Sequence, residues 1–192
     1  MKKKKMNLPN KITIVRMIIV LVIIVLALLP EGSKFGFWGL EYDYRSVSIL
    51  ALFIMGSYSD HLDGHLARKH NLVTTFGKFM DPIADKLLVN SLFIILTGMG
   101  QIHWLVTVIM VGRDIIVDVI RLIMVERGTV IAASKLGKLK TVTQMIALIL
   151  VLVLPGVKYV SIATYVAAVI SLISGIDYFW KNKNVLLEDV FE

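Results

Sequence analysis

The stretch SDHLDGHLARKHNLVTTFGKFMDPIADK, from Ser59 to Lys86, sets Asp60, Asp63, Asp81 and Asp85 between two hydrophobic runs. Charge at bilayer depth is expensive, so acids in such a place mark a site rather than filler. The chain around them is apolar. Of 192 residues, 57% are hydrophobic and 18% charged, where soluble domains carry roughly 25%. That composition indicates an integral membrane protein. The absence of cysteine excludes a disulfide framework, a thiol nucleophile and thiolate metal sites, leaving oxygen and imidazole as ligands.

Apolar runs fall at 12–30, 46–62, 81–98, 103–125, 139–155 and 158–180. Each is near the length of about 20 residues that a spanning helix requires. Pro30-Glu31-Gly32, Gly98-Met99-Gly100, Arg127-Gly128 and Pro155-Gly156 punctuate them. The expected fold is all-α, with six transmembrane helices in a single domain over 1–192. Residues 1–11 form a short juxtamembrane segment that lies on the inner surface or simply anchors the first helix, and 181–192 form a tail. Basic residues alternate between loops: Lys2 to Lys5 and Lys11, then Arg68, Lys69 and Lys78, then Arg127, Lys135, Lys138 and Lys140, then Lys181 and Lys183. The positive-inside rule therefore places both termini and the aspartate stretch on the cytoplasmic side of the cell membrane. The net charge of +7 sits at helix ends, where it reads as a headgroup and topology signal and not as a nucleic-acid footprint. No cleavage site follows the first apolar run, which is expected to be retained.

Asp60 and Asp63 are three apart, and Gly77, Asp81 and Asp85 follow at steps of four. Both spacings put their members on one helical face. The rise from Asp60 to Asp63 is about 4.5 Å and from Asp81 to Asp85 about 6 Å, so two facing helices could gather four carboxylates in a small volume. Bare, they would repel and take up protons. Two divalent cations, Mg²⁺ or Mn²⁺, about 3.5–4 Å apart would remove the repulsion and suit phosphoryl chemistry. Gly64 and Gly77 permit close approach of a ligand or backbone. Pro82 should kink a helix or start one. Arg68 lies close to the Asp60 face, where a guanidinium could hold a phosphate oxygen. Each aspartate alone reads as a solvated charge on an inside loop; it is the combined spacing that argues otherwise. His61, His65, His70 and His103 are expected to pack at the interface rather than to ligate.

Residues 60–85 read D-x-x-D-G-x-x-A-R, eight residues, then G-x-x-x-D-x-x-x-D. This pattern resembles the signature of the CDP-alcohol phosphotransferases at every fixed position: Asp60, Asp63, Gly64, Ala67, Arg68, Gly77, Asp81 and Asp85. Within that family, NLPNKITIVR, LVTTFGKFMDPIADK and LGKLKTVTQ look most like the bacterial phosphatidylglycerophosphate synthases. The resemblance implies six membrane helices around a polar cavity open to the cytoplasm, usually in a homodimer. It implies transfer from CDP-diacylglycerol to glycerol 3-phosphate, giving phosphatidylglycerophosphate and CMP. By motif position, Asp60, Asp63, Asp81 and Asp85 would bind two metal ions, with Asp85 also the general base. Asp60, Gly64, Ala67, Arg68 and Gly77 would shape the cytidine-diphosphate site, bordered by Thr13.

A second, basic constellation follows. Arg113 and Arg121 are eight apart on nearly one face, and Lys135, Lys138 and Lys140 come next. An arginine in an apolar helix wants a partner, and Asp114 and Asp118 are to hand. The alternatives are an ion-pair lock and a pocket for the acceptor's phosphate, since guanidinium groups match phosphate oxygens. The resemblance favours Arg113, Arg121 and Lys138 for the phosphate, with Lys135 at a more variable position. Asp114 stands where those synthases would have Glu, and Asp118 where a small or uncharged residue is usual. The acceptor is thus less determined than the reaction class. Sister enzymes using inositol phosphate, serine or another alcohol are the near alternative, and a cation transporter the remote one.

Overall fold

A computed structural model describes residues 7–69, 74–128 and 134–187; the side chains of residues 60–69, Thr75, Lys78, Val185 and Leu187 lie outside that description. Six helices carry the chain: α1 (Leu8–Leu28), α2 (Tyr44–Lys69), α3 (Thr75–Gly98), α4 (Trp104–Glu126), α5 (Lys135–Val153) and α6 (Val160–Leu187). A hairpin of β1 (Lys34–Phe37) and β2 (Leu40–Asp43) sits between α1 and α2. By Cα proximity the chain divides into two units at residue 96.

In the first unit, α1 opens with Pro9 in its first turn, where the missing N–H breaks no helical bond. Its buried residues include Pro9, Thr13, Arg16, Val20 and Ile23, steps of three and four that draw one stripe along the helix. The outward side, with Val15, Ile18, Leu21, Val22 and Val25, is exposed and apolar. A stripe that buries Thr13 and Arg16 while an apolar face turns outward is the surface that a bilayer demands and that water penalises. Gly56 of α2 brings the helices close: a Cβ there would stand 2.9 Å from Leu88 of α3 and 3.6 Å from Ile19 of α1. Ile49, Phe53, Leu92 and Phe93 are fully buried in this unit.

The hairpin was not expected. Lys34 pairs with Asp43 and Phe37 with Leu40. Trp38 and Gly39 both have positive φ, 53° and 75°, as a tight two-residue turn between twisted strands requires. Asp43 accepts from the backbone N–H groups of Gly32 (3.2 Å) and Arg45 (3.1 Å), and Arg45 donates to the Leu29 carbonyl at 2.7 Å. Those bonds tie the end of α1 to the start of α2.

α2 and α3 extend well beyond their apolar runs at the motif. α2 passes through Asp60 and Asp63 to Lys69. Gly64 alone weakens a helix by only about 1 kcal/mol, too little to stop it. α3 starts at Thr75, not at Pro82, and runs through that proline. The cost is one backbone bond to the carbonyl of residue 78.

In the second unit, α6 packs against both α4 and α5. Gly128, at φ 73°, ends α4 by donating to the Val125 carbonyl. α6 continues past the expected end of its span because Leu186 packs on Val117, Ile120, Met124 and Tyr178. Residues 181–187 of the expected tail are therefore helical; 188–192 lie outside the described residues. His103 caps α4, its Nδ1 accepting from the Leu105 N–H, and its ring lies 5.4 Å from that of Trp104. Here too the outward side is apolar, with Val108, Ile115, Ile116, Val119 and Leu122 exposed while Asp114 is buried.

Three helical segments among the described residues are long and apolar enough to cross a membrane: Leu8–Leu28, Lys135–Val153 and Val160–Asn184. The other helices match the remaining apolar runs in position but hold more ionised groups, as α4 does with Arg113, Asp114, Asp118 and Arg121.

Candidate active site

The acidic motif divides between two helices. Asp60, Asp63, Gly64, Ala67 and Arg68 lie on the last turns of α2, with their side chains outside the described set. Gly77, Asp81 and Asp85 lie on α3 at four-residue steps, one above the other on a single face.

That face of α3 meets α1 through three polar rungs. Thr74 donates to Asn10 Oδ1 at 2.8 Å, and its hydroxyl accepts from the Gly77 N–H at 3.0 Å, capping α3. Thr13 Oγ1 lies 2.5 Å from Asp81 Oδ1 and 3.2 Å from the Pro9 carbonyl. A hydroxyl has one proton, and the shorter contact with a carboxylate is the stronger. Arg16 Nη1 donates to Asp85 Oδ1 at 2.6 Å. Asn10, Thr13 and Arg16 are three apart on α1, so one edge of that helix meets the start of α3 and then both aspartates.

Gly77 is needed where these rungs meet. A Cβ there would lie 3.3 Å from Asn10 Oδ1, 3.4 Å from Thr74 Oγ1 and 3.5 Å from Asp81 Oδ2. The space beside Gly77 is thus bounded by oxygen atoms. An all-oxygen surround with two carboxylates one turn apart has the donor chemistry that Mg²⁺ and Mn²⁺ take. Among the described residues, no three acidic or histidine side chains group as a metal site. The described side chains include only two of the four aspartates that the motif supplies.

The basic constellation resolves into a buried part and an exposed part. Asp114 Oδ1 accepts from Lys140 Nζ at 2.6 Å and from Arg113 Nη1 at 3.2 Å. Arg113 also donates through Nη2 to Ser174 at 2.8 Å. Gly175 admits the arginine, since a Cβ there would meet Arg113 Cγ at 2.9 Å. Arg113, Asp114 and Lys140 side chains are 12%, 6% and 7% exposed. Arg121 is exposed, with Nε 3.3 Å from the Tyr178 hydroxyl and its guanidinium 5.6 Å from that ring's centre. Lys135 and Lys138 are exposed at the start of α5, which Ser134 caps through the Gly137 N–H.

The Arg113–Asp114 pair, one of the two alternatives, is therefore present. Two residues were missed. Lys140, not Lys138, is the buried lysine, and its signal was the inward stripe Lys140, Gln144, Ala147 and Val151. Arg16 was given no role, although it lies three residues after Thr13 on the same face.

Residues 6–174 match the family model described as CDP-alcohol phosphatidyltransferase. The chain is 38% identical over 192 residues to the CDP-diacylglycerol–glycerol-3-phosphate 3-phosphatidyltransferase of Bacillus subtilis (strain 168), covering 94% of this chain and 97% of that one. It is 40% identical over 175 residues to a probable phosphatidylglycerophosphate synthase of Mycobacterium tuberculosis (strain ATCC 25618 / H37Rv), covering 90% and 79%. It is 34% identical over 180 residues to the CDP-diacylglycerol–glycerol-3-phosphate 3-phosphatidyltransferase of Rickettsia typhi (strain ATCC VR-144 / Wilmington), covering 90% and 95%. With its motif divided between two helices and a family match running through both halves, the chain belongs to the CDP-alcohol phosphatidyltransferases.

Proposed function

We propose that the protein transfers the phosphatidyl group of CDP-diacylglycerol to glycerol 3-phosphate, giving phosphatidylglycerophosphate and CMP. The observation that carries this reading is the α1–α3 ladder, which sets Asp81 and Asp85 one turn apart with an oxygen-lined space beside Gly77. The relatives' names supply the two substrates.

In this reading Asp60, Asp63, Asp81 and Asp85 hold two divalent ions, Mg²⁺ or Mn²⁺. When bound, such ions neutralise the diphosphate and stabilise CMP as a leaving group. Asp85 accepts the proton of the acceptor hydroxyl, and its 42% side-chain exposure leaves it reachable. The hydroxyl oxygen forms a bond to the phosphatidyl phosphorus as the bond from that phosphorus to the CMP oxygen breaks. Gly64, Ala67, Arg68, Gly77 and Thr13 shape the cytidine-diphosphate site. Arg113, Arg121 and Lys138, with Lys135 more peripheral, draw the acceptor's phosphate, and Lys140 joins them through its pair with Asp114.

The donor carries two lipid tails, so its diphosphate arrives at the membrane–water boundary, where the charged ends of the helices belong. We assign all six helices as spans of the cell membrane around a cytoplasm-facing cavity, with both termini cytoplasmic and 1–192 acting as one domain. The working form is a homodimer.

Product identification tests the function. Purified protein given CDP-diacylglycerol, Mg²⁺ and a panel of alcohols should release CMP and form phosphatidylglycerophosphate with glycerol 3-phosphate alone. Incorporation of serine or inositol phosphate in its place would overturn the acceptor.

A further inference from the structure

We propose that Arg16 is the positioning residue for Asp85. It acts from α1, outside the aspartate motif, and fixes the carboxylate that takes the acceptor's proton. The inference rests on the reading of Asp85 as base.

Arg16 is fully buried, and its side chain donates to Asp85 Oδ1 at 2.6 Å. A guanidinium enclosed in an apolar helix bundle has to meet an acid or a polar group. In the Arg113, Asp114 and Lys140 cluster every member is hidden, at 12%, 6% and 7%. The Arg16 pair is lopsided, since Asp85 keeps 42% of its side chain exposed. One carboxylate oxygen is thus held from beneath while the group stays accessible from above.

The rung below it has the same form. Thr13, three residues before Arg16, holds Asp81 Oδ1 at 2.5 Å. Asp81 and Asp85 therefore each have one oxygen fixed by the same face of α1. A neutral hydroxyl meets one acid and a fixed cation the other. An anchored carboxylate loses less freedom when it receives a proton or an ion, which is how supporting residues raise activity without touching substrate.

The test compares Arg16→Gln, Arg16→Lys, Thr13→Val and Asp85→Asn in the full-length protein. The readouts are kcat, both KM values, and Mn²⁺ binding measured by electron paramagnetic resonance without substrates. Arg16→Gln should lower kcat about 100-fold, while both KM values stay within about threefold. Mn²⁺ affinity should weaken about tenfold, the loss expected when the support of a ligand is removed. Arg16→Lys keeps the charge but not the planar fork, and should stand about tenfold below wild type in kcat. Thr13→Val should weaken Mn²⁺ binding through Asp81 and leave the Arg16 effect intact.

Near wild-type kcat for Arg16→Gln beside an inactive Asp85→Asn would overturn the proposal. Tighter Mn²⁺ binding in Arg16→Gln would overturn it too, because Arg16 would then be only a competing cation. If Arg16→Gln does not fold, wild-type kcat in Arg16→Lys overturns it. If Asp85→Asn keeps full turnover, the base assignment falls separately, and unweakened Mn²⁺ binding in Arg16→Gln then removes the role of Arg16 as well.

Discussion

In the α1–α3 ladder the buried partner is the cation and the accessible partner the acid: Arg16 is sealed while Asp85 is 42% exposed. Between α4, α5 and α6 the acid is buried together with its cations. Asp114 lies beneath Arg113 and Lys140, while Arg121, Lys135 and Lys138 are exposed. The first half leaves its acid accessible over a buried cation, while the second encloses an acid with two cations and leaves further bases exposed. In the proposed reading, the half that gathers metal cations presents acids, and the half that gathers phosphate presents bases. The buried counter-charge makes either concentration tolerable in an apolar bundle, where an unpaired ion is costly.

The largest expected effect comes from neutralising the presented acids. In the proposed reading Asp81→Asn removes a metal ligand and Asp85→Asn the base, and each should lower turnover about 1,000-fold. For Asp81→Asn, activity above about a tenth of wild type, measured as CMP release, would contradict the two-ion assignment. Asp85→Asn should leave binding of CDP-diacylglycerol much less affected than turnover; unchanged turnover would remove its base role.

Next comes the buried acid of the other half. Asp114→Asn leaves Lys140 and Arg113 without their shared carboxylate, and stranding a buried charge destabilises by about 3–5 kcal/mol. Thermal unfolding should show the loss. Replacing Lys140 by Met in the same chain should restore part of it, because the pair then leaves together. A single Asp114→Asn as stable as wild type would mean that the two halves are not built on the same plan.

Gly175→Ala tests how tightly that cluster is placed. The new Cβ would lie 2.9 Å from Arg113 Cγ, close to the root of the side chain, so the arginine cannot simply swing its tip aside. Overpacking of this kind costs about 1–3 kcal/mol. The shift of Arg113 should raise the KM for glycerol 3-phosphate and leave that for CDP-diacylglycerol alone. Equal changes in both would place Arg113 outside the acceptor's pocket.

How far the sequence disclosed this plan depended on which force decided each residue. The shared face of Asp81 and Asp85 was legible because helical spacing alone puts them there; the side chains of Asp60 and Asp63 lie outside the described residues. The breaker at Gly128 was legible because the chain needs positive φ at a helix end. Arg16 was not, because its role depends on which face of α1 meets α3, and an apolar helix with outward Val and Leu hides that choice. Lys138 and Lys140 are two residues apart, and only packing against α4 decides that Lys140 turns inward. The hairpin escaped notice because its turn puts a tryptophan at φ 53°, a conformation uncommon for a bulky residue. The starts of α3 and the ends of α2 and α6 lie beyond their apolar runs. There caps such as Thr74 and packing such as that of Leu186 decide, and hydropathy does not register them.

Lys138→Ala is the gentlest test and bears on the outer edge of the comparison. Lys138 is exposed, so its loss should leave thermal stability unchanged. An exposed lysine attracts an anion through water and is worth about 0.2–1 kcal/mol, a several-fold effect at most. The KM for glycerol 3-phosphate should rise within that range, and rise further than the KM for CDP-diacylglycerol. Added salt should shrink the difference between variant and wild type, because screening acts on exposed charges more than on buried ones. Lys140→Ala should show the contrary pattern, with a larger loss of stability that salt hardly alters, since its partner Asp114 is buried with it. If Lys138→Ala instead raised the donor's KM more, the exposed lysines would serve the nucleotide, and the acceptor's phosphate would have to be held by Arg113 and Lys140 from below.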